Sequence, residues 1–184
     1  MGSAGAYTPQ KLVLGVLTSR PDGDGDILAA ARDEWGPEDF VSPRVPFTWS
    51  HYYDAEMGTP IHRFFITLER LVDPSCLAAI KVRSNTLEER WRHGARREVN
   101  LDPGLLALSR FSLATTKDNA HRVALSDGIY AEITLLYREG SYRPLDWTYP
   151  DYRSGETIAM LNGIRARYRE QLRSGHPGSL HEDP

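Results

Sequence analysis

The sequence holds one cysteine, Cys76, among 184 residues, which excludes an intrachain disulfide and any thiolate-rich metal centre. It has no apolar run near the roughly 18 residues that suggest a membrane-spanning helix. Met1 to Gln10 lacks the basic start and apolar middle of a secretory signal and reads as a short flexible leader, so cytoplasm is the expected location. Neither sign of charge prevails. A formal net charge of -3 argues against a protein that is mainly an electrostatic nucleic-acid binder. Neither a G-x-G-x-x-G nor a Walker-type phosphate loop occurs. Gly23 and Gly25 follow the first apolar segment, but the aspartates around them would repel a phosphate.

What is present is ordinary globular composition, 40% hydrophobic and 26% charged, in a chain long enough for one domain with a substantial core. We expect that domain over 11–173, with a flexible tail over 174–184. Lys11 to Ser19 has so few polar residues that it reads as a central strand. A helix is expected from Asp26 to Trp35, closed by Gly36-Pro37. Asp39 to Thr48 reads as a short edge strand because Pro43 and Pro46 interrupt it. Arg63 to Val72 is a further strand. Asp73-Pro74 then starts a helix whose stripe of Leu77, Ile80, Ser84, Leu87 and Trp91 spans about five turns. Cys76, beside that start, has no base nearby in sequence and reads as a small buried structural residue.

The stretch from Arg97 to Trp147 organises the rest. Glu98, Asn100 and Asp102 alternate and face one way if extended, and Asp102-Pro103-Gly104 reads as a turn. Asp127-Gly128 is a tight hairpin signal, because such a turn needs positive φ. In the strand that follows, Ile129, Ala131, Ile133, Leu135 and Tyr137 point one way, and Tyr130, Glu132, Thr134, Leu136 and Arg138 the other. The last helix begins at Ser154, with Ile158, Leu161, Arg165, Tyr168 and Leu172 on its broad side.

Candidate functional residues fall in three places. Thr115, Thr116, Lys117 and Arg122 offer hydroxyl donors and cations to a phosphate or carboxylate, with Thr134 behind them. Tyr149, Tyr152 and Arg153 form an aromatic and cationic closing segment. His51, Asp54, Glu56 and His121 are the oxygen and nitrogen candidates for a divalent metal, although their spacing matches no strict signature. Glu132 and His51 are the acid–base candidates.

Several separated segments, PFTWSHYYDAEMG, LVDP, VNLDPG, LATTKD followed by HR, GIYAEITLLYR and WTYPDYR, resemble in the same order a bacterial and archaeal family of uncharacterised proteins, DUF4416. The resemblance covers nearly the whole chain from Lys11 to the last helix. It implies that these segments belong to one domain and brings no established catalytic assignment. The element order suits an α+β fold, either a ferredoxin-like sandwich with an enlarged, mainly antiparallel sheet or a helix-flanked partial barrel. The expected function is binding or processing of a small anionic molecule, phosphorylated or nucleotide-like. The alternatives are a metal-assisted hydrolase or lyase and a noncatalytic protein-interaction or assembly module. The sequence sets neither the oligomeric state nor a cofactor.

Overall fold

The computed structural model describes residues 2–22 and 24–175. The glycine at 23 and most of the expected tail, 176–184, lie outside the described residues. β1 (Gln10–Thr18) leads into α1 (Asp24–Trp35), the short strands β2 (Glu38–Val41) and β3 (Val45–Pro46), the one-turn helix α2 (Asp54–Met57) and β4 (His62–Val72). After a single 3-10 turn come α3 (Leu77–Glu88), the two-residue strands β5 (Arg92–His93) and β6 (Arg96–Arg97), β7 (Val99–Leu106) and β8 (Arg110–Thr115). The chain ends with β9 (Arg122–Ala124), β10 (Tyr130–Arg138), β11 (Ser141–Pro144) and α4 (Gly155–Ser174).

The main sheet runs β11-β10-β8-β7-β1-β4-β2, with β3 added to β4 and β9 added to β10. Its ladders are antiparallel. The inner order β7-β1-β4-β2, with α1 leaving β1 and α3 leaving β4, makes two interleaved βαβ units, which is the ferredoxin-like arrangement. β8, β10 and β11 enlarge that sheet on the β7 side, and it does not close into a barrel. Every residue of β1 is buried because both faces are covered. Leu12, Leu14 and Val16 pack with α1 and α3, whereas Val13 packs with Phe65, Phe111 and the α4 residues Leu161, Ile164 and Tyr168. Among the described residues, no helix is long and apolar enough to cross a membrane.

Burial in the sheet extends to charge. Lys11 is fully buried, yet its ammonium reaches Asp39 at 2.6 Å and the Leu68 carbonyl at 2.7 Å. Burial pulls its pKa below the ordinary lysine value, and Asp39 opposes that shift. At α4, Ser154 caps the helix by accepting a bond from the Thr157 amide, as the start at Ser154 anticipated.

Three local expectations are corrected. The edge segment after α1 is two short strands, β2 and β3, with Ser42 to Arg44 between them. Asp102-Pro103-Gly104 is no turn: it lies inside β7, where Gly15 faces Asp102 and Leu14 faces Pro103. Main-chain groups alternate between the two edges of a strand. Leu101 turns its amide and carbonyl away from β1, to Glu88 and Lys81 side chains, so Pro103 turns its missing donor the same way and β1 loses no bond. The strict alternation expected in β10 also fails. A bulge shifts the register between Ile133 and Leu135, leaving Ile133 exposed while Thr134 and Leu135 are both buried. An extra residue in one strand resets which face each later side chain takes. The Asp127-Gly128 turn forms as read, with positive φ at both residues.

Candidate functional site

β7 and β8 pair only from Gly104 to Leu106 against Leu113 to Phe111. Toward the other end of the sheet they part, and β8 continues alongside β10. The parting opens a cavity of about 630 Å³ that reaches from Leu17 and Arg63 to Glu132 and is bordered by Tyr52, Tyr53, Tyr149 and Tyr152. A gap in a sheet exposes main-chain donors and acceptors that must find partners if water is kept out. Here α3 supplies them: the Glu88 carboxylate accepts from the Leu101 amide at 2.7 Å, and the Lys81 ammonium donates to the Leu101 carbonyl at 2.8 Å.

Those two side chains anchor an ionic network. Glu88 is 3% exposed and pairs with Arg97 at 2.5 Å. Burial holds the Glu88 carboxyl above the ordinary glutamate pKa, against the pull of Lys81, the Leu101 amide and Arg97. Arg97 also reaches Glu56 at 3.1 Å. Lys81 lies 3.5 Å from Asp102, whose other carboxylate oxygen accepts from the Asn100 side chain at 2.8 Å. Asp102 borders the cavity with about a quarter of its side chain exposed. Burial raises the Tyr53 and Tyr152 hydroxyls well above the ordinary tyrosine range, and the Asp102 charge adds to both shifts.

Arg63 forms the opposite wall. It is 4% exposed, pairs with Asp151 and is ringed by Phe47, Phe65 and Tyr152 at 5.7, 5.1 and 5.0 Å. Its Nε and Nη1, and the Tyr152 hydroxyl, are buried without a hydrogen-bond partner. Burial works against the guanidinium charge, while Tyr152, Asp151 and Asp102 hold it in place and keep the Arg63 pKa above the ordinary value. Gly15 lies underneath: a Cβ there would stand 2.5 Å from the Tyr152 hydroxyl and 2.8 Å from Arg63 Nη1. The absence of a side chain at that position leaves room for both groups.

The structure brings many of the sequence candidates to this cavity. Thr115, Thr116, Lys117, Glu132, Tyr149 and Tyr152 border it. Lys117 bonds the Tyr52 hydroxyl at 2.8 Å and lies over its ring, with no carboxylate partner among the described residues. Arg122 holds Glu132 at 2.8 Å and the Tyr149 hydroxyl at 2.8 Å. Thr134 is fully buried and reaches the other Glu132 oxygen. Arg153 binds the Leu145, Asp146 and Thr148 carbonyls and so fixes the closing loop.

The metal candidates separate. His51 has a side chain 92% exposed and contacts Asp54 on the surface. Glu56 turns to Arg97, and His121 stacks on Trp147 with its Nε2 3.3 Å from Glu132. Among the described residues, no three His, Cys, Asp or Glu side chains gather where they could hold a metal ion. Of the two acid–base candidates, Glu132 borders the cavity, whereas His51 is an exposed surface side chain.

A family model described as a domain of unknown function, DUF4416, matches residues 8–168. The chain belongs to the DUF4416 family. No curated protein and no solved structure matches it. Within this DUF4416 domain, sequence reading missed Arg63, Lys81, Glu88 and Arg97 as parts of the cavity. A signal for two of them exists. Lys81 and Glu88 are seven apart on α3, hence on one face, but a charged stripe beside an apolar one reads as a solvated surface. The cavity becomes visible only once β7 and β8 part.

Proposed function

We propose that this DUF4416 protein binds a small molecule with an anionic oxygen, a phosphate or a carboxylate, and a hydroxyl or N–H donor elsewhere. The carrying observation is Arg63, a buried guanidinium that borders the cavity and has two nitrogens without a hydrogen-bond partner among the described residues. Most cations around the cavity are matched by acids: Lys81 by Asp102, Arg97 by Glu88 and Glu56, and Arg92 by Glu89. Arg63 retains donors after binding Asp151, and among the described residues the Lys117 ammonium at the rim has only the aromatic Tyr52 as partner. Charge-assisted bonds to an anion are the strong kind, and a desolvated site strengthens them further. Asp102, held by Asn100 and Lys81, accepts from the donor end of the ligand, and Tyr53 and Tyr149 supply ring faces. A phosphorylated or nucleotide-like compound carries all these features.

Native mass spectrometry of untagged protein purified without added ligand is expected to show a stoichiometric small molecule. Calorimetric titration of stripped protein with inorganic phosphate, acetate and adenosine monophosphate measures the anion directly. Loss of a hydrogen bond to a charged group weakens binding by roughly 10- to 150-fold, so Arg63→Met is expected to fall in that range and Lys117→Ala to weaken binding less. Anion affinity unchanged in Arg63→Met overturns the reading.

A further inference from the structure

A second cavity, of about 380 Å³, lies between α4 and the edge formed by β2, β3 and β4. Its walls are largely apolar, with Phe40, Val45, Phe65, Met160 and Ile164 among them. It shares Trp49, Arg63 and Asp151 with the polar cavity. The Arg63–Asp151 pair thus stands between a polar chamber and an apolar groove, and the unbonded Arg63 nitrogens belong to a side chain that borders both.

Gly163 borders the groove from an exposed position on α4. Inside a helix, glycine costs about 1 kcal/mol relative to alanine. A Cβ there would meet nothing within 4 Å, and its φ is not among the positive ones. Neither backbone conformation nor packing among the described residues requires glycine at this position. A side chain there would reduce the groove.

We infer that the ligand is amphipathic: its anionic oxygen sits at Arg63, which borders both cavities, and an aliphatic or aromatic tail lies in the groove against Phe65 and Ile164. This rests on the anion-binding reading above and adds the tail. The side chains that line the groove are mostly apolar, Phe40, Val45, Phe65, Met160 and Ile164 among them, which suits hydrocarbon.

The test is a titration of stripped protein with straight-chain carboxylates from acetate to decanoate, on wild type, Gly163→Leu and Gly163→Ala. Burying a methylene tightens binding by up to about fourfold. Wild-type affinity is expected to climb with chain length until the groove is full. Gly163→Leu is expected to flatten that climb while leaving acetate affinity unchanged, and Gly163→Ala to blunt it partly. Both substitutions favour helix, and circular dichroism checks that the fold survives. A flat response in wild type, with acetate binding still lost in Arg63→Met, overturns the tail and leaves the anion site standing. A climb that Gly163→Leu does not alter overturns the groove as its seat. Acetate and phosphate binding indifferent to Arg63→Met overturns both readings. A dimer in native mass spectrometry that Gly163→Leu dissociates assigns the groove to a second copy of the chain and overturns the tail.

Discussion

Removal of the Asp151 carboxylate isolates the cost of the cation at the centre of both cavities. Arg63 and Asp151 have side chains only 5% and 6% exposed, and the Arg63 Nε and Nη1 already lack partners. Asp151→Ala therefore leaves the guanidinium with no hydrogen-bond acceptor, relieved only by the faces of Phe47, Phe65 and Tyr152. Removing one partner of a buried pair costs about 3–5 kcal/mol, because the other charge remains uncompensated. At about 2–4 °C of melting temperature per kcal/mol for a chain of this size, the loss is about 6–20 °C. Urea unfolding and thermal melts of ligand-free protein measure it. The double variant Arg63→Met with Asp151→Leu, which removes both charges and retains bulk, is expected to recover most of the loss. An Asp151→Ala cost below about 1 kcal/mol, the range of solvent-exposed pairs, refutes the claim that this charge is desolvated.

Gly15→Ala forces a Cβ against the Tyr152 hydroxyl and Arg63 Nη1; overpacking of this kind costs about 1–3 kcal/mol, and chemical unfolding reads the change. A neutral or stabilising result shows that Arg63 and Tyr152 have room to move. Burial raises the Glu88 pKa in the folded state, so stability from its protonation is present below the unfolded pKa and is lost as pH rises through the folded one. Wild type is therefore expected to lose stability relative to Glu88→Gln as pH rises across that window, as followed by urea midpoints; a pH-independent difference rejects the burial account. Ser154→Ala removes the acceptor for the Thr157 amide at 3.2 Å and is expected to cost about 1 kcal/mol, with α4 losing amide-exchange protection at its first turn before elsewhere.

β1, α1, β4 and α3 were legible because each carries a single clear signal. β1 carries the apolar run Leu12 to Leu17, Asp73-Pro74 opens the helical region leading into α3, and Asp73 accepts from the Ser75 amide as that dipeptide promises. The Asp127-Gly128 turn was legible for the same reason: only a few residue types tolerate its backbone angles. Pro103 was misread because a proline's acceptability in a strand depends on which edge its nitrogen faces, and that depends on where β8 leaves β7. The face assignment in β10 failed at the bulge, since periodicity carries no mark of an inserted residue. In the cavity, Thr115 to Lys117 and Glu132 stood out as polar groups amid apolar segments. Arg63 did not, because it opens a strand that otherwise reads as core, and its importance comes from Asp151, 88 residues later.

The cavity's position follows from the way the sheet was enlarged. Within the sheet, β8, β10 and β11 join the ferredoxin-like half through a ladder only three residues long. Beyond Gly104 the ladder cannot continue through Pro103 without losing a donor, so the strands can part there at little cost. Parting exposes Leu101, whose amide and carbonyl need partners, and α3 answers with one acid and one base. Two opposite buried charges then require counter-charges of their own, which Arg97 and Asp102 provide. The result is a polar seam that spans both halves of the sheet. Arg63 and Asp102 line the cavity on one side and Thr115 and Glu132 on the other, so the ligand proposed above would bridge elements that β7 and β8 no longer connect. Binding only to the folded form stabilises it by about 2.7 kcal/mol at a hundredfold excess over Kd, and at this seam that stabilisation bears on the join between the two halves.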